Sequence, residues 1–105
     1  MEKEIIRNRL SIIFTTDELN RLTFNQDHNG VEIIADVHGM KCFQAKRFIN
    51  NILNMNNHKI KLTVIHGYNH GTAIKDMIST GLDNNHIIHT YNDKKNIGRT
   101  FIIAA

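Results

Sequence analysis

Proline and tryptophan are absent from this 105-residue chain, and cysteine occurs once. Without proline, the turns fall to Gly and Asn, the residues that reach tight or left-handed backbone at least cost. The single Cys42 excludes an internal disulfide and fits a reducing compartment, with a buried, inert thiol as its expected state. No apolar run approaches the ~20 residues of a membrane helix. The start, Met1-Glu2-Lys3-Glu4, lacks the basic-then-apolar pattern of a secretory signal. These absences point to the cytoplasm and away from the membrane. Excess charge of one sign is missing too: 13 Lys and Arg against 10 Asp and Glu leave +3 with seven neutral histidines. That balance permits an anionic partner without demanding one.

What is present suits one modest domain, since 41% of residues are apolar and 22% charged. Residues 1–30 read as an N-terminal extension. There Ile5, Ile6, Arg9, Leu10 and Ile13 make one face of a helix, although 11–14 fit extended chain equally well. Thr15 with Glu18 three residues on has the form of a capping box, starting a short helix through Arg21. Residues 25–30 are turn chemistry and mark the entry to the main domain, 31–105.

The main domain reads β-α-β-α-β-β. Residues 31–37 form a strand, and 41–57 a helix with Cys42, Ala45, Phe48, Ile49, Ile52 and Leu53 along one stripe. Strand 59–65 follows, with Ile60, Leu62 and Val64 alternating, then helix 73–80 stopped near Gly81, strand 86–91 and strand 99–104. Helical crossovers imply parallel pairing with right-handed connections, and the last strand is expected antiparallel to the one before it. The expected class is α/β, a two-layer sandwich on a four-stranded mixed sheet. Strand 31–37 is expected at its centre, flanked by 59–65 and 86–91, with no edge free for a hairpin from residues 20–24.

Two polar loops follow the first two strands. Polar loops at the carboxyl ends of neighbouring parallel strands are where α/β proteins place their sites. The first is Asp36-Val37-His38-Gly39. Side chains two apart at a strand end share a side, so the carboxylate of Asp36 can orient the imidazole of His38 for acid–base work, or else cap the helix that Gly39 lets the chain enter. The second is His66-Gly67-Tyr68-Asn69-His70-Gly71-Thr72. Its glycines and Asn69 can turn main-chain N–H groups to one point, with Thr72 at the following helix N-cap; this makes an anion nest or a close-packed strand-to-helix connection. Tyr68 is placed to stack on a base or to anchor the loop. Asp36, His38, His66 and His70 together offer three nitrogens and one oxygen to a divalent metal, although no cofactor is required. Lys41 and Lys75 begin the two helices and would flank a polyanion laid across the loops, or else be ordinary solvated residues. His28, His58, His86 and His89 are expected in turns or on strand faces without chemistry.

Residues 31–104 resemble the Smr domain, the small MutS-related module. Asp36-Val37-His38-Gly39 is similar to its D-L-H-G hallmark, and residues 66–71 to its H-G-x-G-x-G hallmark, with Asn69 in place of the middle glycine and no basic residue at the place after the loop where Ile74 stands. The resemblance implies a fold similar to the C-terminal domain of translation initiation factor three. It implies an endonuclease nicking or cleaving RNA or DNA, with Asp36 and His38 catalytic and His66 their partner or oxyanion stabiliser. Gly39, Lys41, Gly67, Tyr68, Asn69, His70, Gly71, Thr72 and Lys75 would then hold nucleic acid. The alternative is a module that docks on structured RNA or ribosomes without cutting.

Overall fold

The computed structural model describes residues 2–56, 58–67 and 72–105. Helix α1 (Glu2–Ile13) turns Ile6 and Leu10 into the core and leaves Ile5, Ile12 and Ile13 exposed, so the stripe expected there is only half used. The capping box forms: the Glu18 N–H donates to Thr15 Oγ1 at 3.2 Å and the Thr15 N–H to Glu18 Oε1 at 2.9 Å. It starts α2 (Thr16–Asn20). Strands β1 (Leu22–Asp27) and β2 (Gly30–Asp36) then pair as an antiparallel hairpin, Leu22 opposite Ala35. Its turn is shaped by Asn29, whose N–H donates to Asp27 Oδ1 at 2.7 Å, and by Gly30 at φ +124°. Helix α3 (Cys42–Asn54), strand β3 (Ile60–Ile65), helix α4 (Ala73–Thr80), and strands β4 (Ile87–Asn92) and β5 (Arg99–Ala104) complete the order.

The mixed α/β architecture expected from the sequence stands, but the sheet has five strands in the order β1-β2-β3-β5-β4. The expected exclusion of a hairpin is overturned. Because β1 occupies the outer edge of β2, the α4 crossover leads the chain past β3 instead. There β4 runs parallel to β3 one place away, and β5 returns between them, antiparallel to both. The centre of the sheet is therefore β3, not β2, and β4 is an edge strand.

One side of the sheet is packed. Val31, Ile33, Ala35 and Val37, Ile60, Leu62 and Val64, and Ile102 and Ala104 alternate into a core shared with Phe48, Ile49, Ile52 and Leu53 of α3 and Met77 and Ile78 of α4. Phe14 joins them, its ring centroid 4.9 Å from that of Phe48. Residues before β1 thus belong to the same core as the rest. The radius of gyration, 12.8 Å, is that of one domain of this length, about 13 Å. Truncating Phe48 would cost about 3–5 kcal/mol, the usual loss for a fully buried aromatic. The opposite side carries Glu32, Ile34, Lys61, Thr63, Ile65, Arg99, Phe101 and Ile103. Among the described residues, the buried helix positions pack on the other side. Among the described residues, no helix is long and apolar enough to cross a membrane.

Candidate functional site

Four chain segments meet at the edge of the sheet where β2 and β3 end. The first is the turn after β2. The Met40 N–H donates to Val37 O at 3.0 Å and Gly39 lies at φ +82°, the pattern of a type II turn with glycine third. A side chain at that third position would be strained, which is why glycine follows His38. The second position of the turn belongs to His38, lifted clear of the core with its side chain 65% exposed.

Asp36 holds this histidine twice. Its Oδ1 accepts from the His38 main-chain N–H at 3.2 Å and is also hydrogen-bonded to His38 Nδ1. A carboxylate accepts only, so Nδ1 carries the hydrogen and the Nε2 lone pair of a neutral ring faces outward. That is the arrangement of a steered acid–base imidazole.

The second segment is the end of β3. Parallel pairing puts Asp36 opposite Ile65, and the Val37 N–H donates to Ile65 O at 2.9 Å, so the next residues of both strands emerge side by side. The result is direct apposition: a Cβ placed on Gly67, which lies at φ +76°, would sit 3.5 Å from His38 Cβ. The two loops singled out in the sequence therefore converge.

His66 differs from the expectation of a catalytic partner. It is 8% exposed, its Nδ1 lies 2.8 Å from Gly67 O and its Nε2 2.9 Å from Thr100 Oγ1. A carbonyl only accepts, so a neutral ring donates from Nδ1 and receives the Thr100 hydroxyl at Nε2. Both nitrogens are occupied within the protein. Nor does the Gly67 N–H face a ligand: with the His66 N–H it donates to Gly98 O, at 3.1 and 2.9 Å.

Gly98 belongs to the third segment, the β4–β5 loop. Asp93 organises this loop by accepting from the Lys95 N–H at 2.9 Å and from Arg99 Nε and Nη2 at 3.0 and 2.7 Å. The Lys95 N–H, and after it the Arg99 guanidinium, hold the Asp93 carboxyl below its ordinary value.

The fourth segment is the entry to β1. Arg21 Nη1 donates to Asp36 O at 3.1 Å and to His38 O at 3.3 Å, clamping the backbone on both sides of the Asp-His pair. In return the Asp36 N–H donates to Arg21 O at 2.9 Å. Sequence reasoning missed Arg21 because it denied the hairpin. The alternation of Leu22 and Phe24 ahead of the Asn29-Gly30 turn was the signal available. It also missed Gly98 and Thr100, which only the β3–β5 pairing brings to His66.

The remaining expected residues lie as follows. Lys41 occupies the α3 N-cap, where its N–H donates to Gln44 Oε1 at 3.1 Å and its side chain is exposed. Thr72 precedes α4 but its hydroxyl donates to Asp76 Oδ2 at 2.9 Å and caps no N–H. Lys75 is half-buried in the first turn of α4. Cys42 is half-buried, its thiol 3.7 Å from Ala73 O, so the two helices that follow the loops touch at their starts. Tyr68, Asn69, His70 and Gly71 lie outside the described residues. So does the fourth member of the metal set envisaged above; among the described residues no three His, Cys, Asp or Glu side chains gather as a cation site.

The chain matches no family model, no curated protein and no solved structure.

Proposed function

We propose that this protein is a nucleic-acid endonuclease of the Smr type, with the sandwich likened above to the C-terminal domain of translation initiation factor three. The observation that carries the reading is the exposed, carboxylate-steered His38 standing against Gly67 at the mouth of the second loop. His38 acts through Nε2 as the general base or acid, Asp36 orients it, and Arg21 fixes the backbone that carries both. His66 becomes a positioning residue that ties the β3 end to Thr100 of β5. The phosphate is held by the segment after Gly67 and by Lys41 and Lys75 at the helix starts.

On RNA the substrate supplies its own nucleophile. His38 Nε2 takes the 2′-hydroxyl proton, the 2′-oxygen attacks the adjacent phosphorus, and the P–O5′ bond breaks. The 5′-oxygen collects a proton from solvent at this open edge, leaving a 2′,3′-cyclic phosphate and a 5′-hydroxyl.

The test is incubation of pure protein with labelled single- and double-stranded RNA and DNA, with and without chelator, beside His38→Ala and Asp36→Ala. Both variants should keep the far-UV spectrum and thermal midpoint and lose cleavage. Undiminished cutting by either variant refutes the assignment. The second reading, a binding module for structured RNA or ribosomes, draws on His66: with that ring occupied, one free imidazole remains at the described part of the edge. Binding without any cutting by the native chain selects it.

A further inference from the structure

The uncovered side of the sheet carries a row of rings. Tyr91 pairs across strands with Phe101, their centroids 5.0 Å apart, and His89 stacks on Tyr91 at 5.2 Å and 26°. Lys61 Nζ lies 4.3 Å from the Phe101 centroid and Arg99 Cζ 6.0 Å from it. A β-bulge builds this row. Ile87 pairs with Ala104 on the packed side, whereas His89 pairs with Ile103, so two steps along β4 match one along β5. Strict alternation would put residues 87 and 89 on the same side. The bulge at Ile88 instead turns His89 and Tyr91 to the open side, the re-aiming such irregularities perform next to functional sites.

This row is continuous with the Asp-His pair. Asp36, Ile65 and Arg99 lie in one register line across β2, β3 and β5. Arg99 is thus two strand spacings, ~10 Å, from Asp36. Phe101 and Tyr91 follow in the next line down the same side.

We infer that the open side of the sheet is a stacking platform for single-stranded nucleic acid, guiding a strand across β5 and β4 to His38. Bases freed from a duplex stack on aromatic rings without regard to sequence, while cations track the backbone. Lys61, Lys94 and Lys95 have no carboxylate partner among the described residues. The acids of the region are committed: Asp93 to Arg99, Asp36 to His38, and Glu32 to the Thr63 hydroxyl at 2.8 Å. Phosphates therefore find the Lys61 ammonium at the Phe101 ring, with Lys94 and Lys95 on the loop that follows β4. A base pair in a duplex offers no free face, so the platform selects single strands.

The inference rests on the nucleic-acid part of the reading above, and its test separates the two. Fluorescence anisotropy is measured with a labelled single-stranded RNA, the same sequence as single-stranded DNA, and the DNA duplex. Each is titrated with the full chain and with its His38→Ala variant, which leaves strands intact. Single strands should bind more tightly than the duplex, and the RNA and DNA arms report which sugar is preferred. Tyr91→Ala should raise Kd about tenfold for a lost base stack, Tyr91→Phe should restore it, and Ile12→Ala on α1 should change nothing. Tyr91 also packs on Phe101, so Tyr91→Ala should lower the thermal midpoint slightly, and Tyr91→Phe, which keeps that ring contact, is the folding control. Single-strand affinity within twofold of native in Tyr91→Ala, or duplex binding as tight as single-strand binding, overturns the platform even if cleavage persists. Tyr91-dependent binding by a chain that cuts nothing upholds the platform and removes the endonuclease.

Discussion

His38 and His66 end neighbouring parallel strands and lie within one loop of each other, yet their environments are opposite. His38 is exposed and held by one carboxylate, with no partner for Nε2 among the described residues; His66 is buried, with a hydrogen-bond partner on each nitrogen. The difference comes from what lies beyond each strand end. β2 leads into a glycine turn at the surface. The end of β3 is roofed by the β4–β5 loop, whose Gly98 carbonyl receives two main-chain N–H groups. Two histidines that look equivalent in the sequence thus divide into one whose ring is presented at the surface and one that fastens the loop beside it.

The comparison breaks most sharply at His38. His38→Ala should slow cleavage about 100- to 10,000-fold, the worth of one acid–base group, while the melting curve stays put. If the two histidines were alike, His66→Ala would do the same. Instead it should lower stability by about 1–3 kcal/mol in chemical denaturation, because it removes the buried ring and its hydrogen bonds to the Gly67 carbonyl and the Thr100 hydroxyl. Cleavage should survive wherever that variant stays folded.

Gly67→Ala probes the space between the loops. Its positive φ imposes strain of about 1–2 kcal/mol on any side chain, read as a lower denaturation midpoint. The new methyl at His38 should also raise KM more than it lowers kcat.

The smallest expected effect concerns the roof over His66. The Asp93 carboxyl lies below its ordinary value, held first by the Lys95 N–H and then by Arg99, so its folded form favours the charge. A depressed carboxyl contributes stability above its unfolded value, about 3.9, and that contribution fades as pH falls through the lower folded value. Asp93→Asn should therefore be less stable than the native chain at pH 6. The gap should close on acidification below about pH 4 in paired denaturation curves.

Much of this was legible along the chain. Local signals were sufficient wherever the deciding contacts were local: the Thr15–Glu18 capping box, the apolar stripe of α3, the bounds of α4, and Gly39 at the turn after Asp36. They failed where an edge was contested. Whether β1 or β4 takes the outer side of β2 turns on the competition of two distant segments for one row of N–H and C=O groups. Nothing in the residues of β2 records that competition. The misplacement of β4 and the omission of Arg21 are both consequences of it.

By itself the sequence determined which residues are polar at the two strand ends, where glycine had to stand, and that Asp36 and His38 share a side. Periodicity and turn chemistry act over a few residues and need no fold to express them. Only the tertiary structure decided that β3 is the central strand, that His66 is enclosed, and that a bulge turns His89 and Tyr91 onto the open side of the sheet. Those outcomes depend on which strand edges meet, and edge pairing is settled by the whole chain at once.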